Sequence, residues 1–150
     1  MRRKIVAGNW KLHGSRQFAN ELLGQVAAGL PLEGVDVVIL PPLPYLGELV
    51  EDFGETSLAF GAQDVSSNEK GAYTGEVCAA MLVEVGARYG LVGHSERRQY
   101  HHESSELVFA GARQVRGSRW SVSRATASTS RSPSRRGRTC STRSCRTPMA

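Results

Sequence analysis

The chain has 150 residues and a formal net charge of +5, a length that fits one ordinary domain. Its apolar runs, such as Val35–Leu40, which Asp36 interrupts, are far shorter than the roughly 20 residues of a membrane-spanning helix, which argues against a membrane span and makes the cytoplasm the expected compartment. Three cysteines are too few for a disulfide framework, and their neighbours in sequence do not predict a metal site.

The charge is divided sharply along the chain. All 14 acidic residues precede Ala110 and are accompanied by nine Lys and Arg, which gives that part a net charge of −5. Residues 111–150 contain ten Arg and no acid, a net charge of +10, and they lack Leu, Ile, Phe and Tyr. Such a segment cannot bury enough apolar surface to offset its chain entropy. We therefore expect a globular unit over residues 1–110 and a disordered, low-complexity basic tail over residues 111–150.

The elements of the first unit alternate between strands and helices. Ser15 is a candidate cap for the first helix, Pro41 and Pro42 end the second strand, and Cys78 is expected to be a small buried residue within the third helix. The predicted strands cover residues 4–8, 35–40, 58–62 and 88–93; helices are predicted after residue 15, over 43–53, from about 77, and from starts near 95 and 104. Four β/α units of this kind predict an α/β fold with a parallel sheet.

Polar side chains follow two of these strands. Asn9 and Lys11 come after the first strand, and His94 comes after the fourth. Because the carboxyl ends of parallel strands share one edge, all three are expected at the same rim. Lys11 would hold an anionic substrate and Asn9 would offer an amide, while a helix beginning after His94 would favour a neutral imidazole that donates a hydrogen bond. On spacing alone, a solvated lysine and a structural histidine remain the commoner interpretation.

Four longer strings change that balance when they are taken together. They are Gly-Asn-Trp-Lys at 8–11, Gly-Ala-Gln-Asp-Val at 61–65, Gly-Ala-Tyr-Thr-Gly-Glu at 71–76 and Gly-His-Ser-Glu-Arg-Arg at 93–98. In this order they closely resemble the N-terminal half of the triosephosphate isomerase family, over about residues 3–108. The resemblance implies a (β/α)8 TIM barrel of which the first four β/α units are present, followed by the Arg/Ser-rich tail.

The resemblance also implies an activity and a set of roles. The reaction is the interconversion of dihydroxyacetone phosphate and D-glyceraldehyde 3-phosphate, in glycolysis and gluconeogenesis, without metal or cofactor. Asn9 and Lys11 match the substrate-binding pair of the family, and His94 matches the catalytic electrophile that polarises the carbonyl and shuttles protons. Ser95 and Glu96 match residues that lie behind those in contact with the substrate, and Glu96 would orient Lys11. Thr74 matches the tip of a loop that inserts into the partner subunit of a homodimer.

Other parts of the family pattern have no match in the sequence. The family's general base, a Glu after the sixth strand, and its phosphate-binding amides after strands seven and eight have no counterpart after Val108. The chain as it stands is therefore expected to be inactive. We take Arg as CGN and Ser as TCN and start each codon over residues 115–122 one nucleotide earlier. The shifted codons then allow Ala-Gly-apolar-Pro-apolar-Val-Cys, which resembles the family's fifth strand. This pattern favours a frameshift or a sequencing error as the origin of the tail.

An alternative of a different class stays open at this point. The chain would then be a nonenzymatic half-barrel whose Arg-rich tail binds nucleic acid. A tail of +10 binds polyanions nonspecifically, and it offers Trp120 alone as an aromatic platform for a base. Sequence-preferring binding would distinguish this alternative from the enzyme.

Overall fold

The computed structural model of the chain describes residues 3–117 and 121–122. The described part forms one sheet of parallel strands in the order β1-β2-β3-β4-β5, so each strand pairs with its neighbours in sequence. The strands are β1 Lys4–Asn9, β2 Val35–Leu40, β3 Leu58–Ala62, β4 Tyr89–Gly90 and β5 Ser121–Val122, and the helices are α1 Arg16–Ala28, α2 Leu43–Phe53, α3 Ala79–Glu84, α4 Ser95–Tyr100 and α5 Ser105–Gly117. The predicted α/β fold with a parallel sheet is confirmed. Within the described residues, no helix is long and apolar enough to cross a membrane.

The strongest sequence signals gave the correct boundaries. The strands β2 and β3 and the helix α2 begin and end where the β-branched runs, the double proline and the apolar spacing placed them. Ser15 caps α1, since its side-chain hydroxyl accepts a hydrogen bond from the backbone N–H of Phe18 at 3.1 Å. Local chemistry is therefore sufficient to define the first half of the sheet.

Two predicted elements are shorter than the sequence indicated. The third helix begins at Ala79 and not near residue 77, because the carbonyl of Val77 accepts the backbone N–H of Ser66 and Cys78 is extended as the N-cap. Cys78 is buried as predicted but lies outside the helix. The fourth strand covers Tyr89–Gly90 and not residues 88–93, although Leu91 still donates to the carbonyl of Ala62 at 2.9 Å.

The predicted boundary at residue 110 falls inside a helix. Helix α5 runs from Ser105 to Gly117, and Val115 is completely buried in the main apolar core. The expectation of disorder from residue 111 is therefore wrong for the helical segment up to Gly117. It is also wrong for β5, which pairs in parallel with β4. The remainder of the predicted tail lies outside the described residues.

Apolar residues lie on both faces of the sheet. The outer face, under the helices, packs residues of β2 and β3 against the helices in one large cluster that includes Leu23, Leu46, Phe60, Leu82 and Val115. The inner face carries a smaller cluster of Val38, Leu40 and Leu91. Because side chains alternate along a strand, β2 contributes Ile39 to one cluster and its two neighbours to the other. This packing fixes where the carboxyl ends of the strands lie, and the predicted functional residues follow those ends.

Candidate functional site

The site is built on the loop that follows β1. Asn9 is the last residue of that strand and is paired with Leu40. The side-chain oxygen of Asn9 accepts a hydrogen bond from the backbone N–H of Lys11 at 2.9 Å. Lys11 adopts a φ of 54°, in the left-handed region, which costs a non-glycine residue about 1–2 kcal/mol. A local side-chain contact thus helps to hold Lys11 in a conformation that the backbone alone disfavours.

Lys11 pairs with an acid from a distant part of the chain. Its ammonium donates a hydrogen bond to a carboxylate oxygen of Glu96 in α4, and both side chains are partly open to solvent. The hydrogen bond from Lys11 holds the pKa of Glu96 below its ordinary value; desolvation opposes this effect, and the charge of Lys11 adds to it. Lys11 and Glu96 therefore face each other as an ionised pair at the rim.

His94 lies next to this pair and caps α4. Its Nδ1 accepts a hydrogen bond from the backbone N–H of Glu96 at 3.2 Å, and the carboxylate of Glu96 lies 3.7 Å from the same nitrogen. A nitrogen that accepts this N–H has no proton of its own, so the neutral ring carries its proton on Nε2. A neutral His94 in this geometry would present its Nε2–H as a hydrogen-bond donor, and its role as the electrophile stays a prediction. Ser95 is the exposed first residue of α4.

Gln63 is a site residue to which the sequence analysis gave no role. It follows β3, and its side-chain amide nitrogen donates to the carbonyl of Lys11 at 3.0 Å and to the carbonyl of Leu40 at 2.8 Å. It therefore ties the loop after β1 to the end of β2. The available signal was its position directly after a strand, inside one of the four strings.

A second missed residue, Arg97, fixes α4 to the sheet. One nitrogen of its guanidinium lies 2.8 Å from the carboxylate of Asp64 after β3, and another lies 2.6 Å from Glu103, whose side chain is only 8% exposed. Burial raises the pKa of Asp64 above its ordinary value, and the charge of Arg97 opposes that rise. The helix that supplies Glu96 is thus anchored by charged contacts on its next residue.

Thr74 lies in an exposed turn rather than at the rim. It directly precedes Gly75, which has a φ of 89°, and the base of the turn is held by a hydrogen bond from Ser66 to Glu76. A cleft of about 660 Å³ extends from the rim to the base of this turn, and its lining includes Lys11, Glu96, Gln63, Glu76 and the exposed Leu12. Within the described part of the chain, Asn9, His94 and Thr74 are not among the lining residues.

The structure thus brings together four of the six residues singled out from the sequence. Asn9, Lys11, Glu96 and His94 are joined by consecutive contacts, whereas Ser95 and Thr74 are exposed beside them. The described residues contain no group of three or more His, Cys, Asp or Glu that could hold a metal ion. The ammonium of Lys11, the amide of Asn9 and the imidazole of His94 form a set suited to hold a small anion and to polarise a carbonyl oxygen.

Comparisons with known proteins agree on one family. The family model described as triosephosphate isomerase matches residues 4–122. The chain is 99% identical over 108 residues to the triosephosphate isomerase of Stenotrophomonas maltophilia (strain K279a), a match covering 72% of this chain and 43% of that protein. It is 82% identical over 108 residues to that of Xanthomonas euvesicatoria pv. vesicatoria (strain 85-10), with the same coverage.

A solved structure matches the fold as well. The crystal structure of triosephosphate isomerase from Bartonella henselae superimposes with a TM-score of 0.75 at 32% sequence identity, covering 80% of this chain and 50% of that one. The four leading strands with their helices therefore match about half of a TIM barrel. The chain spans 43% of the length of the curated relatives that it matches.

Proposed function

This chain belongs to the triosephosphate isomerase family, and on that premise we propose that it carries part of an active site that interconverts dihydroxyacetone phosphate and D-glyceraldehyde 3-phosphate. The observation that carries the proposal is the run of contacts from Asn9 through Lys11 and Glu96 to His94 at the carboxyl ends of the strands. These residues come from the segments after β1 and after β4 and converge on one rim. The activity is proposed for the whole protein, of which this chain spans less than half.

Each residue has a defined task in the proposed reaction. Lys11 supplies the positive charge that holds the substrate phosphate, and Glu96 orients its ammonium. Asn9 shapes the loop through its bond to Lys11 and directs its amide NH₂ toward the substrate. His94 donates the proton of Nε2 to the substrate carbonyl, which stabilises the negative charge that develops when a carbon-bound proton is removed.

The proton acceptor for that step is not among these residues. In the family it is a glutamate after the sixth strand, and residues 109–150 contain no acidic residue at all. A general base contributes about 10²–10⁴-fold to such a reaction. We therefore propose that the 150-residue chain turns over no substrate, and that its last residues result from a frameshift in a gene that encodes the rest of the barrel.

The partner contacts and the cellular setting are proposed from the family alone. The exposed turn that carries Thr74 would insert into a second subunit, so that the intact protein is a homodimer. The setting would be glycolysis and gluconeogenesis in the cytoplasm. The solvent exposure of Thr74 in this turn supports an intersubunit contact.

The decisive experiment restores the reading frame. The nucleotide sequence after codon 108 is determined, the shifted frame is corrected, and both proteins are assayed with D-glyceraldehyde 3-phosphate. We expect turnover from the frame-restored protein, a loss of about 10²-fold or more on His94→Gln in it, and none from the 150-residue chain. The absence of a coding frame for apolar strands and a catalytic Glu, or normal turnover by the 150-residue chain, would contradict the proposal.

The alternative, a nonenzymatic half-barrel with a nucleic-acid-binding tail, has less support. The relatives reported above are all isomerases, and the segment that would bind nucleic acid lies outside the described residues apart from α5 and β5. Any tail with ten arginines binds polyanions through charge, so only a preference for sequence would favour this function.

A further inference from the structure

The backbone of Lys11 is held from both sides by side chains. Its N–H donates to the side-chain oxygen of Asn9 at 2.9 Å, and its carbonyl accepts from the side-chain amide of Gln63 at 3.0 Å. Lys11 itself has a φ of 54°, an uncommon conformation for a residue other than glycine. From this arrangement we propose that Gln63 is a positioning residue, which keeps Lys11 in the one backbone conformation from which its ammonium reaches Glu96 and the substrate anion.

The amide of Gln63 is suited to this task. Both protons of its nitrogen are engaged, one on Lys11 and one on the carbonyl of Leu40 at 2.8 Å. Gln63 follows β3, Leu40 ends β2, and Lys11 follows β1, so one side chain joins the carboxyl ends of three consecutive strands. The bond to Leu40 is partly buried and the bond to Lys11 is exposed, so the partly buried bond anchors the side chain from which the second bond is made.

The two bonds of Gln63 differ in what depends on them. The carbonyl of Leu40 has a second donor, the backbone N–H of Trp10 at 3.1 Å. For the carbonyl of Lys11, the donor in the described part of the chain is the side-chain amide of Gln63. Loss of this side chain therefore leaves Leu40 paired and releases Lys11. We therefore expect a local change in structure, confined to the loop after β1 and to Glu96, which pairs with Lys11.

This inference deepens the proposed function, because Lys11 is the residue proposed to hold the substrate phosphate, but its test needs no substrate. Gln63→Met keeps the length of the side chain and removes both donors. We expect the amide of Lys11 to exchange with solvent about tenfold faster, a change equivalent to about 1.4 kcal/mol. The carboxyl of Glu96, which faces Lys11 and His94, should titrate closer to the ordinary range when observed by carbon NMR.

The matched control is Gln17→Met in α1. Gln17 donates to Glu21 at 2.8 Å on an exposed helical surface, so its loss should leave both signals unchanged. A merely structural role for Gln63 would lower the global unfolding midpoint and leave the titration of Glu96 where it is. Unchanged Lys11 exchange and Glu96 titration in a folded Gln63→Met protein would overturn the proposal.

A second measurement covers the case in which Gln63→Met does not fold. In the unmodified chain, the side-chain amide protons of Gln63 should exchange more slowly than those of Gln17. The nitrogen of Gln63 donates to two carbonyls, whereas that of Gln17 donates to one exposed carboxylate. Equal exchange rates would overturn the proposal. A frame-restored protein without turnover, with these NMR signals as expected, would contradict the proposed function and leave the role of Gln63 intact.

Discussion

The strands β1 and β2 are both six residues long and pair with each other along their whole length, yet they differ completely in burial. In β2, Val38 has no exposed surface, whereas in β1, Val6 is 58% exposed. The strand β2 is the more apolar, with five aliphatic residues of six against three of six in β1, but Val6 and Val38 are the same residue type, so residue type does not explain their difference in exposure. What differs is the number of neighbours: β2 pairs on both sides, and β1 pairs on one side among the described strands.

An exposed parallel edge is unusual for this type of sheet. Parallel strands are normally covered on both faces and paired on both sides. In the relative from Bartonella henselae, this chain corresponds to 50% of the structure. The exposure of β1 accompanies its single pairing among the described strands.

The carboxyl end of β1 differs from the rest of the strand. The backbone N–H of Trp10 bonds to the end of β2, and Lys11 is held by Gln63 and Glu96. Order at the rim thus comes from the following strands and from α4, all of which are present. The geometry of the candidate site does not depend on the missing neighbour of β1.

The largest effect expected from this comparison is on stability. Val38→Ala removes two methyl groups from a fully buried site and should lower the free energy of unfolding by about 2–3 kcal/mol. The matched control, Val6→Ala on the exposed strand, should cost less than about 1 kcal/mol. Urea unfolding followed by circular dichroism measures both. Equal losses would mean that β1 is covered in solution, and the comparison would fail.

A smaller effect is expected for two ion pairs at opposite ends of the sheet. Arg97→Met leaves Glu103, which is 8% exposed, and Asp64 without their cation, and should cost about 1–3 kcal/mol. Arg3→Met removes a pair with Asp36 at the amino end, where the arginine is 59% exposed, and should cost about 0–1 kcal/mol. The same unfolding assay decides the point. A larger loss for Arg3→Met would show that the rim is not the better-anchored end.

The sequence predicted most of the fold where local chemistry decides the outcome. Ser15, the β-branched run of β2 and Pro41 set boundaries without help from distant residues. The prediction of disorder directly after Ala110 was wrong because it used the composition averaged over the whole segment. That average does not show that Val115, although its sequence neighbours are polar, packs into the core.

Prediction of the site was incomplete for a similar reason. Asn9, Lys11 and His94 could be placed at one rim because each follows a strand. The contacts of Gln63 and Arg97 could not be predicted, since each depends on which carbonyl or carboxylate of another loop lies within reach. Pairwise geometry of this kind follows from the packed sheet and has no signature in the local sequence.

The smallest predicted effect is a pair of opposite pH dependences at the rim. The pKa of Glu96 is lowered from its ordinary 4.5 by the hydrogen bond from Lys11, so the unfolded chain binds this proton more tightly. The stability that Glu96 contributes is present above pH 4.5 and is lost as the pH falls through its lowered pKa. Burial raises the pKa of Asp64 from 3.8, so the folded chain binds that proton more tightly, and its contribution falls as the pH rises above 3.8.

These opposite slopes can be separated by two variants. Glu96→Gln should retain more of its stability in acid than the unmodified chain, because the group that loses its favourable charge is absent. Asp64→Asn should instead make stability rise more steeply as the pH increases above 3.8, because the opposing contribution of the buried acid is removed. Both effects appear in urea midpoints measured between about pH 3 and pH 7, the range in which such carboxyls titrate. If neither variant changed the slope of those midpoints with pH, the shifted pKa values of Glu96 and Asp64 would be contradicted. The contacts at the rim would then be no better ordered than the open edge of β1.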